Sequence, residues 1–215
     1  MGPIVVATGN PHKVEELRAI LAPLGLELLS LADLSDTHPE PEETGETFEE
    51  NAALKALAYA ERTGLHCLAD DSGLEVDALA GAPGVISARY HSDGLETGLP
   101  RPERDRLNNE RLLRKLEGVP PDRRTARFVC AMALASPEGQ VLAKARGLFE
   151  GRIGLPGEVP RGSNGFGYDP LFLVAPDYTR TSAELSPDEK NRLSHRGKAA
   201  RAMADAIGEL SRPGA

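Results

Sequence analysis

Residues 68–76, LADDSGLEV, set Asp70 and Asp71 side by side where an apolar run gives way to Ser-Gly. Adjacent carboxylates with no cation next to them in the sequence read either as a polar turn or as a site for proton and metal chemistry. Side chains alternate along a strand, so the two aspartates are expected to point to opposite sides, one acting and the other supporting it. A free aspartate, with a pKa of about 3.9, is a poor base at neutral pH unless burial raises it or a metal acidifies the water it must deprotonate. Magnesium meets that need, because it takes oxygen ligands, keeps several waters and shares its coordination sphere with phosphates. Glu40, Glu42, Glu43, Glu46, Glu49 and Glu50 supply carboxylates ahead of Lys55, although acidic runs ordinarily face water.

TGNPHK, residues 8–13, offers a cationic partner. Asn10 suits an N-cap and Pro11 the first helical position, which leaves backbone N–H groups directed outward toward an anion. Lys13 in the first turn opposes the helix dipole by up to about 1 kcal/mol, so it is either solvated or turned to a phosphate. GSNGFGYDP, residues 162–170, places Phe166 and Tyr168 in a glycine-rich loop of a chain that is only 4% aromatic. Such rings suit stacking on a nucleobase, at ~1–3 kcal/mol each, or anchoring the loop beneath its turn. In SPDEKNRLSHRGKA, residues 186–199, Ser186 with Glu189 caps a short helix and Ser194 begins the next. Lys190, His195 and Arg196 would then crowd near a helix junction, as a solvated basic face or beside a polyphosphate.

The elements that must position these residues follow from periodicity. IVVAT is a short β-branched strand, and Val14, Leu17, Leu21 and Leu24 draw one apolar stripe along the helix after it. Thr47 and Glu50 form a capping box for a helix that runs to about Gly64. LHCLA is expected to be a buried strand ending at the paired aspartates. Leu107, Leu112, Leu113 and Leu116 mark a further helix, stopped near Gly118, and RFVCAMALA with QVLAKARGLFEG reads as an antiparallel hairpin across SPEG. GLPGEVPRGSNGFGYDP leads into a strand, LFLV, and Ala199, Met203, Ile207 and Leu210 face inward on a last helix. The fold class is α/β, with parallel and antiparallel parts in one sheet.

Composition narrows the function. With 215 residues, 40% hydrophobic and 27% charged, the chain suits one globular unit with a sizeable core. No apolar stretch approaches the length of a membrane span, and the opening MGPIVVATGN has no basic region of a signal peptide, so a cytoplasmic protein is expected. Cys67 and Cys130 sit in apolar segments without metal-ligand spacing, which disfavours zinc and indicates reduced core cysteines. A net charge of −8 argues against a nucleic-acid polymer as partner, so an anion must be met by a local pocket.

Taken in order, TGNPHK, ETGETFEENAALKA, LADDSGLEV, GAPGVISARY, FGYDP and EKNRLSHRGKA span nearly the whole chain and resemble the inosine triphosphate pyrophosphatase family. The resemblance implies a single domain over residues 1–215, with an elongated mixed central sheet flanked by helices and two lobes around a cleft. It implies a homodimer and Mg²⁺-dependent hydrolysis of the purine nucleoside triphosphates ITP, dITP and XTP to monophosphate and pyrophosphate. Carried to this chain, Thr8, Gly9, Asn10, Pro11, His12 and Lys13 would hold the triphosphate, with Lys55 and Ser72 as further substrate contacts. Asp71 would accept the proton, and Glu43 and Asp71 would serve Mg²⁺. Phe166, Gly167, Tyr168 and Asp169 would line the nucleoside pocket, completed by Lys190, His195 and Arg196. Two other classes also place aspartates after a strand or a pocket around a nucleotide: an aspartyl-phosphate phosphatase, whose nucleophile-x-acid spacing DDSG lacks, and a nucleotide sensor that binds without turnover.

Overall fold

The computed structural model describes residues 2–21, 25–36 and 38–210, apart from the side chains of Pro11 and His12. Chain order is β1 Ile4–Val6, α1 Pro11–Leu21, β2 Leu28–Ser30, α2 Phe48–Thr63, β3 His66–Val76, α3 Arg101–Lys115, β4 Thr125–Ala135, β5 Val141–Ile153, β6 Phe172–Val174, α4 Pro187–Leu193 and α5 His195–Leu210, with short 3₁₀ turns between. The strands form one mixed sheet in the order β2-β1-β3-β4-β5-β6. β1 runs parallel to β2 and β3, whereas β5 and β6 are antiparallel, so the expected mixture is present. Among the described residues, no helix is long and apolar enough to cross a membrane.

The chain divides into two compact units, one of residues 1–71, 130–147 and 194–215, the other of residues 72–129 and 148–193. Each has its own core. In the first, Val14, Leu17 and Leu21 of α1 pack with Ala199, Met203 and Ile207 of α5 and with Ile4, Leu68 and Met132 of the strands. The helical spacing read from the sequence is realised here, although Leu24 lies outside the described residues and Leu210 is exposed rather than inward. Gly147 of β5 faces the first turn of α5, where a Cβ would strike the His195 carbonyl and the Ala199 amide; its bareness lets the helix lie close. In the second unit, Phe128, Phe149 and Phe172 stack around Leu74, Leu112 and Leu171.

The capping chemistry places the helices as expected. The Thr47 hydroxyl accepts from the Glu50 amide at 3.2 Å, and the Glu50 carboxylate accepts from the Thr47 amide at 3.2 Å. Gly64 closes α2 in the left-handed region at φ 67°. Ser186 and Glu189 make the same reciprocal pair at α4, and the Ser194 hydroxyl accepts from Gly197 at 3.1 Å at the start of α5. Thr47→Ala removes an acceptor from the first turn of α2 and is expected to lower stability by about 1 kcal/mol, measured by urea unfolding.

One expectation fails. β3 does not end at the aspartates; it continues for 11 residues through Asp70, Asp71, Ser72 and Gly73 to Val76. The pair therefore lies in mid-strand, not in a turn. Buried Leu68 before it and buried Leu74 and Val76 after it hold the strand on course, which overrides the local turn tendency of Asp-Ser-Gly.

Candidate active site

Parallel pairing of β1 with β3 opposes Val6 to Leu68, and the Ala7 amide donates to the Leu68 carbonyl at 2.8 Å. The TGNPHK turn therefore leaves β1 alongside Asp70. The Thr8 hydroxyl accepts from the Asn10 amide at 3.2 Å, and the Asn10 carbonyl accepts from Lys13 and Val14, so α1 begins at Pro11 as its sequence indicates. Gly9 sits at the bend of this turn. The His12 and Pro11 side chains lie outside the described residues.

The cation that the sequence seemed to deny the aspartates arrives from distant segments. Lys13 Nζ lies 2.9 Å from Asp70 Oδ2 and 3.0 Å from Oδ1. Arg196 of α5 reaches the same carboxylate at 3.5 Å and Glu16 at 2.7 Å. Lys13 thus has a protein anion to offset its unfavourable place at a helix start, a third possibility beside solvent and phosphate. Burial alone would raise the Asp70 pKa, but Lys13, Arg196 and Lys55 together hold it well below the usual carboxylate range. Asp70 is a permanent anion, a structural counter-ion for two cations.

Asp71 has different partners, as alternation along a strand requires. Asn51 and Lys55, one turn apart on α2, each give one donor to it: Asn51 Nδ2 to Oδ2 at 3.2 Å and Lys55 Nζ to Oδ1 at 3.4 Å. Asn51 is itself fixed by accepting the Gly45 amide at 2.8 Å. Burial raises the Asp71 pKa; Lys55 and Lys13 oppose the rise, while Glu43 and Asp70 add to it. Burial acts against the charge on Lys55, yet Asp71, Glu43 and Asp70 outweigh it and hold the ammonium above the ordinary lysine range. The pair is thus asymmetric. Lys55 lies closer to Glu43, at 2.7 Å, than to Asp71, at 3.4 Å, and burial holds the Asp71 carboxyl above the usual aspartate range despite that ammonium. Neighbouring aspartates with opposed pKa shifts are the arrangement in which one group can move a proton and the other only supplies charge.

Glu43 and Asp71 converge on one cation, the Lys55 ammonium. Among the described residues no group of three or more His, Cys, Asp and Glu could hold a metal ion. Two convergent carboxylates nevertheless fit Mg²⁺, which takes one or two from the protein and completes its sphere with water and substrate phosphate. Of the glutamates ahead of Lys55, Glu49 pairs with Arg146 and Glu50 caps α2 from its first turn, whereas Glu43 meets Asp71 across the Lys55 ammonium.

A second cluster belongs to the other unit. Asp169 accepts from Lys190 Nζ at 2.5 Å, from the Phe166 amide at 2.9 Å and from the Ser182 hydroxyl at 2.7 Å. Gly165, at φ +80°, has no room for a Cβ, which would strike the Asp169 carboxylate and the Lys190 ammonium. Lys190 also lies 5.7 Å from the centre of the Phe166 ring. Phe166 is half-buried, but Tyr168 is buried in the core and its hydroxyl donates to the Ser87 carbonyl at 2.8 Å. Of the two aromatic residues, then, Tyr168 is the anchor beneath the loop and Phe166 the ring with a face to offer.

The helix junction expected near Lys190, His195 and Arg196 is present between α4 and α5. Lys190 pairs with Asp169 in the second unit, whereas buried His195 and Arg196 belong to the first, Arg196 among the carboxylates. The break between α4 and α5 falls where the chain passes from one unit to the other. Asn51, Glu16 and the α3 residues beside the Phe166 loop were not singled out from the sequence. Asn51 had a usable signal, because a polar residue four before Lys55 shares its helix face.

Comparison with known proteins agrees with this architecture. A HAM1 protein from Coxiella burnetii superposes with a TM-score of 0.83 at 40% identity, over 97% of this chain and 100% of that one. A nucleoside-triphosphatase, dITP/XTP pyrophosphatase, from Mycobacterium abscessus superposes at 0.71 with 45% identity, over 94% and 98%. A dITP/XTP pyrophosphatase of an Exiguobacterium species is 54% identical over 93% of this chain and 94% of its own, and one of Thermus thermophilus is 50% identical over 94% and 90%. The Ham1 family model matches residues 4–206. An α/β sheet of this order, likeness to Ham1 structures along nearly its full length, and the family match place the chain in the Ham1 family.

Proposed function

We propose that the protein hydrolyses the non-canonical purine triphosphates dITP, XTP and ITP to monophosphate and pyrophosphate, with Mg²⁺ as cofactor. It is a nucleoside triphosphate pyrophosphatase, a hydrolase acting on an acid anhydride. The observation that carries the chemistry is Asp71: a buried carboxyl whose pKa burial raises, held by two donors from α2 and set beside Lys13, Lys55 and the anion Asp70. Asp71 accepts a proton from the water that attacks the α-phosphorus. Lys13 and Lys55 stabilise charge developing on the departing pyrophosphate, and the TGNPHK turn opens α1, whose N-terminal dipole favours the triphosphate. Glu43 and Asp71 would hold Mg²⁺, which when bound neutralises phosphate charge and acidifies water. Ser72 follows directly on the base and remains a substrate contact in this reading.

The base is read by the second cluster. The 6-keto oxygen of hypoxanthine or xanthine accepts a hydrogen bond, and the Lys190 ammonium beside Phe166 supplies donors. Adenine turns a 6-amino donor toward them, leaving a buried mismatch of roughly 1–3 kcal/mol per contact. Arg196 does not enter this account, since Asp70 and Glu16 engage it. The reading includes a homodimer in the cytoplasm.

Steady-state rates on dITP, XTP, GTP and ATP test the function, with phosphate and pyrophosphate measured separately. Pyrophosphate release from dITP and XTP in Mg²⁺, with ATP slower by roughly tenfold to a hundredfold, is expected from the mismatch. Stepwise orthophosphate release would indicate a phosphatase instead, and retained dITP without turnover a sensor. Equal rates on all four would refute the donor pocket.

A further inference from the structure

One face of α3 carries three residues at successive four-residue steps, Arg101, Asp105 and Asn109, and all three meet the Phe166–Gly167 dipeptide. Arg101 places its guanidinium carbon 4.0 Å from the centre of the Phe166 ring. Asp105 Oδ2 accepts from the Gly167 amide at 3.0 Å. Asn109 Nδ2 donates to the Gly167 carbonyl at 3.0 Å. Arg101 also lies 3.9 Å from Asp105, which restrains the guanidinium over the ring. Residues four apart share a helix face, so one straight stripe covers an aromatic face and both polar groups of the adjoining peptide. Gly167 is in the left-handed region at φ +62°, a conformation that favours glycine.

The other two backbone groups of the dipeptide are also bonded. The Phe166 amide donates to Asp169 at 2.9 Å, and its carbonyl accepts from the Asp169 amide at 3.3 Å. Four bonds on two half-buried loop residues are more than loop closure needs. They fix the direction of one ring, and with it the Asp169–Lys190 pair that shares the Phe166 amide. A ring held this firmly loses little freedom when a base stacks on it, and that preorganisation strengthens binding.

We propose that Arg101, Asp105 and Asn109 are positioning residues for base selection, holding Phe166 and Asp169–Lys190 in the geometry that distinguishes one purine from another. This rests on the pyrophosphatase reading above and assigns α3 a part in it. Such residues act on the base end of the substrate alone. Inorganic tripolyphosphate, which has the phosphates and no base, separates this role from a general contribution to folding.

The test compares wild type with Asp105→Ala, Asn109→Ala and Asp105→Asn. Wild-type protein is first assayed for pyrophosphate release from dITP in Mg²⁺; if there is none, the pyrophosphatase reading falls and this proposal with it. Given that activity, each alanine variant is expected to raise KM for dITP roughly tenfold with kcat nearly unchanged, since a ring no longer preorganised must be ordered when the base binds. The dITP-to-ATP preference in kcat/KM should shrink by a similar factor, and inhibition by tripolyphosphate should keep its wild-type constant. Asp105→Asn retains an acceptor and should restore the wild-type KM. If KM for dITP stays near wild type in both alanine variants, or tripolyphosphate inhibition weakens in step with it, the proposal is overturned while the pyrophosphatase reading stands. Should either alanine variant fail to fold, Arg101→Ala decides the matter. Its side chain is 38% exposed and caps no backbone group among the described contacts, and a KM for dITP equal to wild type would count against the stripe.

Discussion

Asp71→Asn is expected to lower kcat for dITP by roughly 10²–10⁴-fold, the range over which a positioned general base contributes, while the protein stays folded. The substitution keeps the shape of the side chain and one acceptor oxygen but removes the basic site. Its structural tolerance follows from the raised pKa: burial already disfavours the charge on Asp71, so a neutral isostere relieves a desolvation penalty. Lys55 retains its closer partner Glu43 at 2.7 Å, so no ammonium is stranded. Asn51 Nδ2, now 3.2 Å from Asp71 Oδ2, can turn its donor to the new amide oxygen. Thermal melting should therefore move little while pyrophosphate release collapses. Asp70→Asn makes the informative contrast, because that carboxylate is a fixed counter-ion and its loss should be felt first in stability. Near-normal turnover by Asp71→Asn at saturating Mg²⁺ would remove Asp71 from the proton-transfer role and with it the chemical half of the proposed function.

What the sequence disclosed and what it hid divides by range. Local chemistry was legible: Thr47 with Glu50, Ser186 with Glu189, Ser194, Gly64 and the helical spacing of Val14, Leu17 and Leu21 all do in the structure what their types and positions indicate. The six motif blocks led to the family, which periodicity alone would not have reached. Long-range pairing was not legible. Asp70 and Lys13 are separated by 57 positions, and Arg196 lies still farther along the chain, so the aspartate pair looked unneutralised and Lys13 looked in need of a phosphate. The same pairing explains the missed strand length, because the cations and flanking apolar residues make extended backbone tolerable where Asp-Ser-Gly alone suggests a turn. Tyr168 and Phe166 are indistinguishable by type and spacing; only the Ser87 carbonyl, 81 positions away, makes one an anchor. The α3 stripe was hidden for another reason. Arg, Asp and Asn at four-residue steps on a polar helix match the pattern of a solvated, ion-paired face, and nothing in the sequence says that a glycine peptide lies against them.

Asp70→Ala is expected to destabilise the protein by about 3–5 kcal/mol, the range for removing one partner from a buried ion pair. The carboxylate is 1% exposed and holds Lys13 at 2.9 Å and Arg196 at 3.5 Å. Its removal takes a buried carboxylate from the guanidinium, itself 6% exposed, and leaves it Glu16 at 2.7 Å. It also returns Lys13 to an uncompensated position in the first turn of α1, though that side chain is 18% exposed and can turn partly to water. Most of the loss should therefore arise at Arg196. A double variant makes that attribution testable: Asp70→Leu with Arg196→Met replaces the buried pair by apolar groups, and such replacements are often close to neutral. Urea unfolding should show Asp70→Ala far below wild type and the double variant recovering much of the difference. Its activity should stay low, because Lys13 would no longer be held beside Asp71. If the double variant were as unstable as the single one, the instability would lie in the strand or at Lys13, and the account of Asp70 as the anion that keeps Arg196 buried would be wrong.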